Sequence, residues 1–137
     1  MKEYKTRALT IKVRPDGIIE MHTNEGWDQP DTVEIAKENI EMLIKAVDNK
    51  PRALLSYMPS TYMSKEVLDC YDKAEIGEVA SAMLTTSFGA KVMGNAYLKL
   101  TGKAAKSSQI KNQAPVRIFS KKEDAVVWLL SQIAKHQ

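Results

Sequence analysis

EVASAMLTTSFGAKVMGNAYLKL, residues Glu78 to Leu100, reads as a strand that passes through a short turn directly into a helix. The strand half, Val79 to Thr86, is small and apolar with Met83 and Leu84 as its bulk, which suits a central strand covered on both faces. From Ser87 the period becomes helical. Phe88, Val92, Ala96 and Leu100 recur every four residues, with Ser87 as the expected N-cap. The rest of the chain is expected to pack around this unit.

Upstream, ALTIKV (8–13) and IIEMH (18–22) are short β-type runs separated by Arg14-Pro15-Asp16-Gly17, whose Pro and Asp-Gly supply turn chemistry, so a hairpin opens the fold. A polar loop with Gly26 and Trp27 follows, Trp27 serving either as a lid over the core or as an exposed recognition residue. Asp31, with Glu34 three residues on, forms a capping-box-like pair ahead of an apolar face of Val33, Ala36, Ile40, Leu43, Ile44 and Val47. Asn49-Lys50-Pro51 ends that helix, and Arg52 to Met58 (RALLSYM) is the next strand. Ser64 is the expected N-cap of a second helix to about Glu75 that turns Val67, Leu68 and Tyr71 inward.

Downstream, Thr101 to Ala114 is a basic, polar connection. Val116 to Phe119 is a last strand. Ser120 and Glu123 form an S-x-x-E box before a helix with Val126, Leu129, Leu130 and Ile133 on its buried face and Trp128 at the border. The order is a β-hairpin followed by alternating helices and strands, which predicts one α/β domain over 1–137: a singly wound, mixed to parallel sheet with helices mainly on one side.

With 137 residues, 44% hydrophobic and 27% charged, the chain has the composition of an ordinary globular domain. No signal-peptide core and no run of eighteen apolar residues is present, so a cytoplasmic location is expected and no transmembrane segment. The single Cys70 excludes an internal disulfide, and with only His22 and His136 no zinc spacing exists; no metal or other cofactor is expected. Charge is segregated. Residues 1–78 hold eleven Lys or Arg against fifteen Asp or Glu, whereas 79–122 hold eight Lys or Arg and no acid. If that segment forms one surface, Lys91, Lys99, Lys103, Lys106 and Arg117 are candidate anion-binding residues; if not, they simply solvate helix and loop exteriors.

Catalytic motifs are missing. Gly89 and Gly94 have phosphate-loop spacing, but Asn95-Ala96 stands where Lys and Ser or Thr would have to reach phosphate and magnesium. No G-x-S-x-G elbow occurs, and Cys70 beside Tyr71 reads as a core thiol. An enzyme is not expected.

Three stretches carry a family resemblance: the hairpin with its long amphipathic helix, the strand 52–58 with its loop, and a C-terminal pattern. That pattern is Gly94-Asn95 in a helix, then Pro115-Val116-Arg117-Ile118-Phe119 as a strand, then Glu123-Asp124-Ala125-Val126-Val127-Trp128-Leu129 as a helix. Over nearly its whole length the chain resembles the bacterial SpoIIAA-like, or STAS, class of small regulatory domains. The resemblance implies regulation or ligand sensing without catalysis. Anti-sigma-factor antagonists of that class carry an Asp-Ser-x-Gly type motif whose serine is phosphorylated; here the corresponding loop, residues 58–64, reads MPSTYMS and has neither the Asp nor the Gly. Ser64 stands where a helix N-terminus would favour a phosphate, but a plain cap explains it. The kinase switch is not expected.

Two functions remain. In the first, the chain is a regulatory protein-interaction module whose partner meets Tyr57, Met58, Ser60, Tyr62, Met63 and Ser64 at the C-terminal end of a strand, where open α/β sheets place their crevices. In the second, the same crevice takes a small apolar or anionic ligand such as a lipid, with the basic segment holding its head group. Nucleic acid is a weaker third reading, because the aromatics near the basic segment read as buried. A homodimer through an uncovered sheet face is left open.

Overall fold

The Pro-Asp-Gly turn does what its residues predict. In the computed structural model, which describes residues 2–27, 32–57, 64–85 and 114–136, Gly17 takes φ +95°, a conformation open to glycine, and donates to the Arg14 carbonyl at 3.1 Å. The Asp16 carboxylate accepts from the Ile18 amide at 3.1 Å. The turn joins β2 (Leu9–Val13) to β3 (Ile18–Thr23) as an antiparallel pair. A strand that the pattern did not predict, β1 (Lys2–Lys5), adds antiparallel to β2 and makes a charged edge.

From β3 onward the pairing is parallel: β3 to β4 (Ala53–Tyr57), β4 to β5 (Ser81–Leu84), and β5 to β6 (Val116–Phe119). The six strands lie in sequence order β1-β2-β3-β4-β5-β6. The sheet is therefore mixed and singly wound, antiparallel first and parallel after. β5 is central to the parallel part, with Ala82, Met83 and Leu84 all buried.

Helix α1 (Val33–Val47) is capped by Thr32, whose hydroxyl accepts from the Ile35 amide at 3.2 Å; Asp31, the expected cap, lies outside the described residues. Its buried line is Ile35, Ala36, Asn39, Leu43, Ala46 and Val47, so Ile44, expected inside, is 45% exposed. Ala46, which the pattern did not place inside, is fully buried on that line instead. The chain then turns through Asp48 and Asn49, both left-handed, residue types that tolerate that conformation. Helix α2 (Lys65–Lys73) begins at Ser64 as expected and packs beside α1, where Asn39 donates to the Tyr71 hydroxyl at 2.9 Å. The Thr6 hydroxyl in turn donates to Asn39 Oδ1 at 2.6 Å, so this buried amide is satisfied at both ends.

Helix α3 (Lys122–Lys135) covers part of the opposite face, reaching across β4, β5 and β6 to β3. It starts from Lys121 without a side-chain cap, so the Ser120–Glu123 box does not form. The strand runs to Phe119, and Ser120 is spent on the bend that leaves it. Ala125, Leu129 and Ile133 are its buried residues; Leu130, expected among them, is 37% exposed, while Trp128 packs at the border as expected. Two cores result. Ile11, Val13, Ile19 and Leu54 meet Leu43, Ala46 and Val47 of α1, and Ile18, Leu55, Ala82 and Leu84 meet α3. The helix expected over 88–100 and the connection to 113 lie outside the described residues.

Candidate functional site

Alternation along the strands decides what the α3 face presents. Ile18 faces α3, so Glu20 and His22, two and four residues on, share its side of β3. Register then adds Lys12 opposite Glu20, Thr10 opposite His22, and Glu3 and Lys5 beyond them on β1. Helix α3 roofs the parallel strands and stops at β3, leaving this polar half of the face open. The result is an open groove of about 440 Å³ lined by Glu3, Lys5, Thr10, Lys12 and His22, with Thr23, Asn24 and Glu25.

Glu20 ties the groove to its roof. Its carboxylate, 13% exposed, accepts from Arg14 Nη1 at 3.1 Å, from His22 Nε2 at 3.0 Å and from Lys122 Nζ of α3 at 3.3 Å. Burial alone would raise this carboxyl. The hydrogen bonds from His22, Lys122 and Arg14, with the charge of Lys122, outweigh it and hold the carboxyl below its ordinary value. Glu20 therefore stays ionised and can only accept, so Nε2 of His22 carries the proton. The other side of the imidazole lies against Tyr57 of β4, ring centroids 5.1 Å apart and tilted by 35°.

Of the candidate partner-loop and anion-binding residues, three fall among those described. Tyr57 is half-buried at the C-terminal end of β4, against His22. Ser64 is the cap of α2, its hydroxyl accepting from the Val67 amide at 3.2 Å, as the plain-cap reading has it. Arg117 is exposed on β6 with its guanidinium 5.1 Å from the Phe119 ring centre and 5.4 Å from that of Trp128. Met58, Ser60, Tyr62, Met63, Lys91, Lys99, Lys103 and Lys106 lie outside the described residues. Trp27 is half-buried, and its indole N–H finds no acceptor among the described residues.

Glu20, His22, Thr10 and Lys12 were missed as site residues. A signal existed: in Ile18-Ile-Glu20-Met-His22 the two polar residues fall on one face of a strand otherwise apolar. Among the described residues no three His, Cys, Asp or Glu side chains converge as a metal-binding group, and none of the helices there is long and apolar enough to cross a membrane. No family model, curated protein or solved structure matches the chain.

Proposed function

We propose that this chain is a non-enzymatic, regulatory protein-interaction module of the SpoIIAA-like kind its sequence resembles, working in the cytoplasm, and that its partner seats a polar segment in the groove beside His22 and Tyr57. The observation that carries this reading is the open, mixed-charge half of the sheet face. Lys5 and Lys12 stand beside Glu3 and Glu25, with Thr10, His22 and Asn24 between them. Both signs of charge and both kinds of hydrogen-bonding group suit a peptide, whose backbone and side chains need both. Among the described residues no apolar type lines the groove, which suits a lipid chain less well.

Catalysis fits less well. A histidine held by a carboxylate is the base-and-orienter half of a nucleophilic site. The hydroxyl opposite it, Thr10, gives its proton to Asn24 Oδ1 at 2.6 Å and is committed there. Glu20 is shifted away from the range a general acid needs.

A photo-crosslinking residue at position 12, compared with one at the exposed Lys45 of α1, tests the reading in cells. A discrete protein adduct at position 12 that is absent at 45 and lost in His22→Ala is expected. Identical adducts at the two positions would overturn it, as would native mass spectrometry showing a co-purified small molecule that organic extraction removes.

A further inference from the structure

Helix α3 is apolar on two sides, and the sheet uses only one. Opposite its buried line of Ala125, Leu129 and Ile133 runs a second stripe, Glu123, Val127, Leu130 and Ala134, every member exposed. Val127 is 69% exposed and Leu130 37%. Spacings of four, three and four are those of a helix-pairing seam. The ends of the helix carry opposite charge, with Glu123 and Asp124 in the first turn and Lys135 in the last.

We infer that this stripe is where a second copy of the chain docks, α3 against α3 and antiparallel. A two-fold axis that sets Val127 opposite Leu130 of the copy sets Leu130 opposite Val127 by symmetry, and Glu123 opposite Ala134. Lys135 of the copy then lies one residue, about 1.5 Å, farther along the axis, within reach of Glu123. Asp124 and Lys135 fall on the same flank of the stripe, so they also meet across the pair. Each acidic end thus meets a basic end, twice, and the helix dipoles oppose. A parallel pairing would set acid on acid and lysine on lysine. Lys122, the basic residue that could spoil the acidic end, points away to Glu20 on the sheet side. Exposed Lys121 stands before the first turn. The stripe is self-complementary in the antiparallel arrangement alone. A helix about 21 Å long offers less than the roughly 800 Å² per partner of a stable complex, so the dimer is weak and forms with concentration.

Sedimentation velocity of the full chain over a wide concentration range tests this. The wild type is expected to move from monomer to dimer, and Val127→Lys to raise the dissociation constant by about tenfold or more with an unchanged circular dichroism spectrum. Two charge variants are decisive. Glu123→Lys with Asp124→Lys, and separately Lys135→Glu, should each stay monomeric alone, yet form a heterodimer when mixed. A wild type monomeric throughout, a dimer indifferent to Val127→Lys, or charge variants that fail to recover on mixing would each overturn the inference. The groove reading stands apart from all three outcomes.

Discussion

Glu20→Gln is the substitution that most directly tests how α3 is held over the sheet. The carboxylate accepts three charged or ring donors at 3.0 to 3.3 Å while only 13% exposed. Hydrogen bonds to a buried charge contribute about 1.5–3 kcal/mol, and exposed ion pairs about 0.2–1 kcal/mol. The partners sit between these limits. Arg14, His22 and Lys122 are 24%, 37% and 45% exposed, and Arg14 keeps Asp16 at 2.8 Å when Glu20 loses its charge. A net loss of about 2 kcal/mol follows, or roughly 7 °C in melting temperature for a domain of this size. The pH dependence has a definite sign. The folded carboxyl is held below its ordinary value, so the stabilisation is complete above the unfolded value near ~4.3 and is lost as pH falls through the folded one. Urea unfolding of both proteins should therefore show a constant gap from neutral pH down to about 5, closing below about 4. A gap under about 0.5 kcal/mol at neutral pH, or one that widens on acidification, would refute the tie between α3 and β3.

Two further substitutions test the frame around the groove. Leu43→Ala and Leu129→Ala, at 1% and 0% exposure in separate cores on opposite faces of the sheet, should each cost about 3 kcal/mol and add in the double variant; strong non-additivity in urea unfolding would mean that the two faces share one core. Ser64→Ala should cost about 1 kcal/mol and Ser64→Asp almost nothing, since either oxygen can take the Val67 amide; equal losses in thermal unfolding would show that the hydroxyl does more than cap α2.

Most of the strand order was legible because it depends on local pattern. The run Val116 to Phe119 is β6 residue for residue, and the Pro-Asp-Gly turn specified the hairpin. β1 was not legible. Lys2-Glu-Tyr-Lys5 has no apolar alternation, and it becomes a strand by pairing with β2, through Tyr4 opposite Ile11 and its neighbours. The helix faces held at Ala36, Leu43, Val47, Leu129 and Ile133, and missed at Ile44 and Leu130 for a different reason. A hydrophobic period ranks Ile44 and Leu130 above alanine, yet close packing on a sheet favours the smallest side chains on the line of contact. Ala46 and Ala125, each fully buried, took places on those lines, beside the expected Ala36.

The groove is the harder case, because what makes it a groove is remote in sequence. That Glu20 and His22 share a face follows from alternation; that this face is open over β1 and β2, and roofed from β3 onward, follows from where α3 lands. The hydrogen bond that holds the roof's edge joins residues 102 apart, Lys122 and Glu20. Gly17 shows how close the other end comes, since a Cβ there would lie 3.3 Å from Ile133 Cδ1 of α3. The helix is thus fixed near both of its own ends, by the Lys122–Glu20 ion pair at one and by the Ile133 side chain pressed on the Gly17 turn at the other. A roof pinned in this way keeps its border at β3, and the polar half of the sheet face stays open beside it.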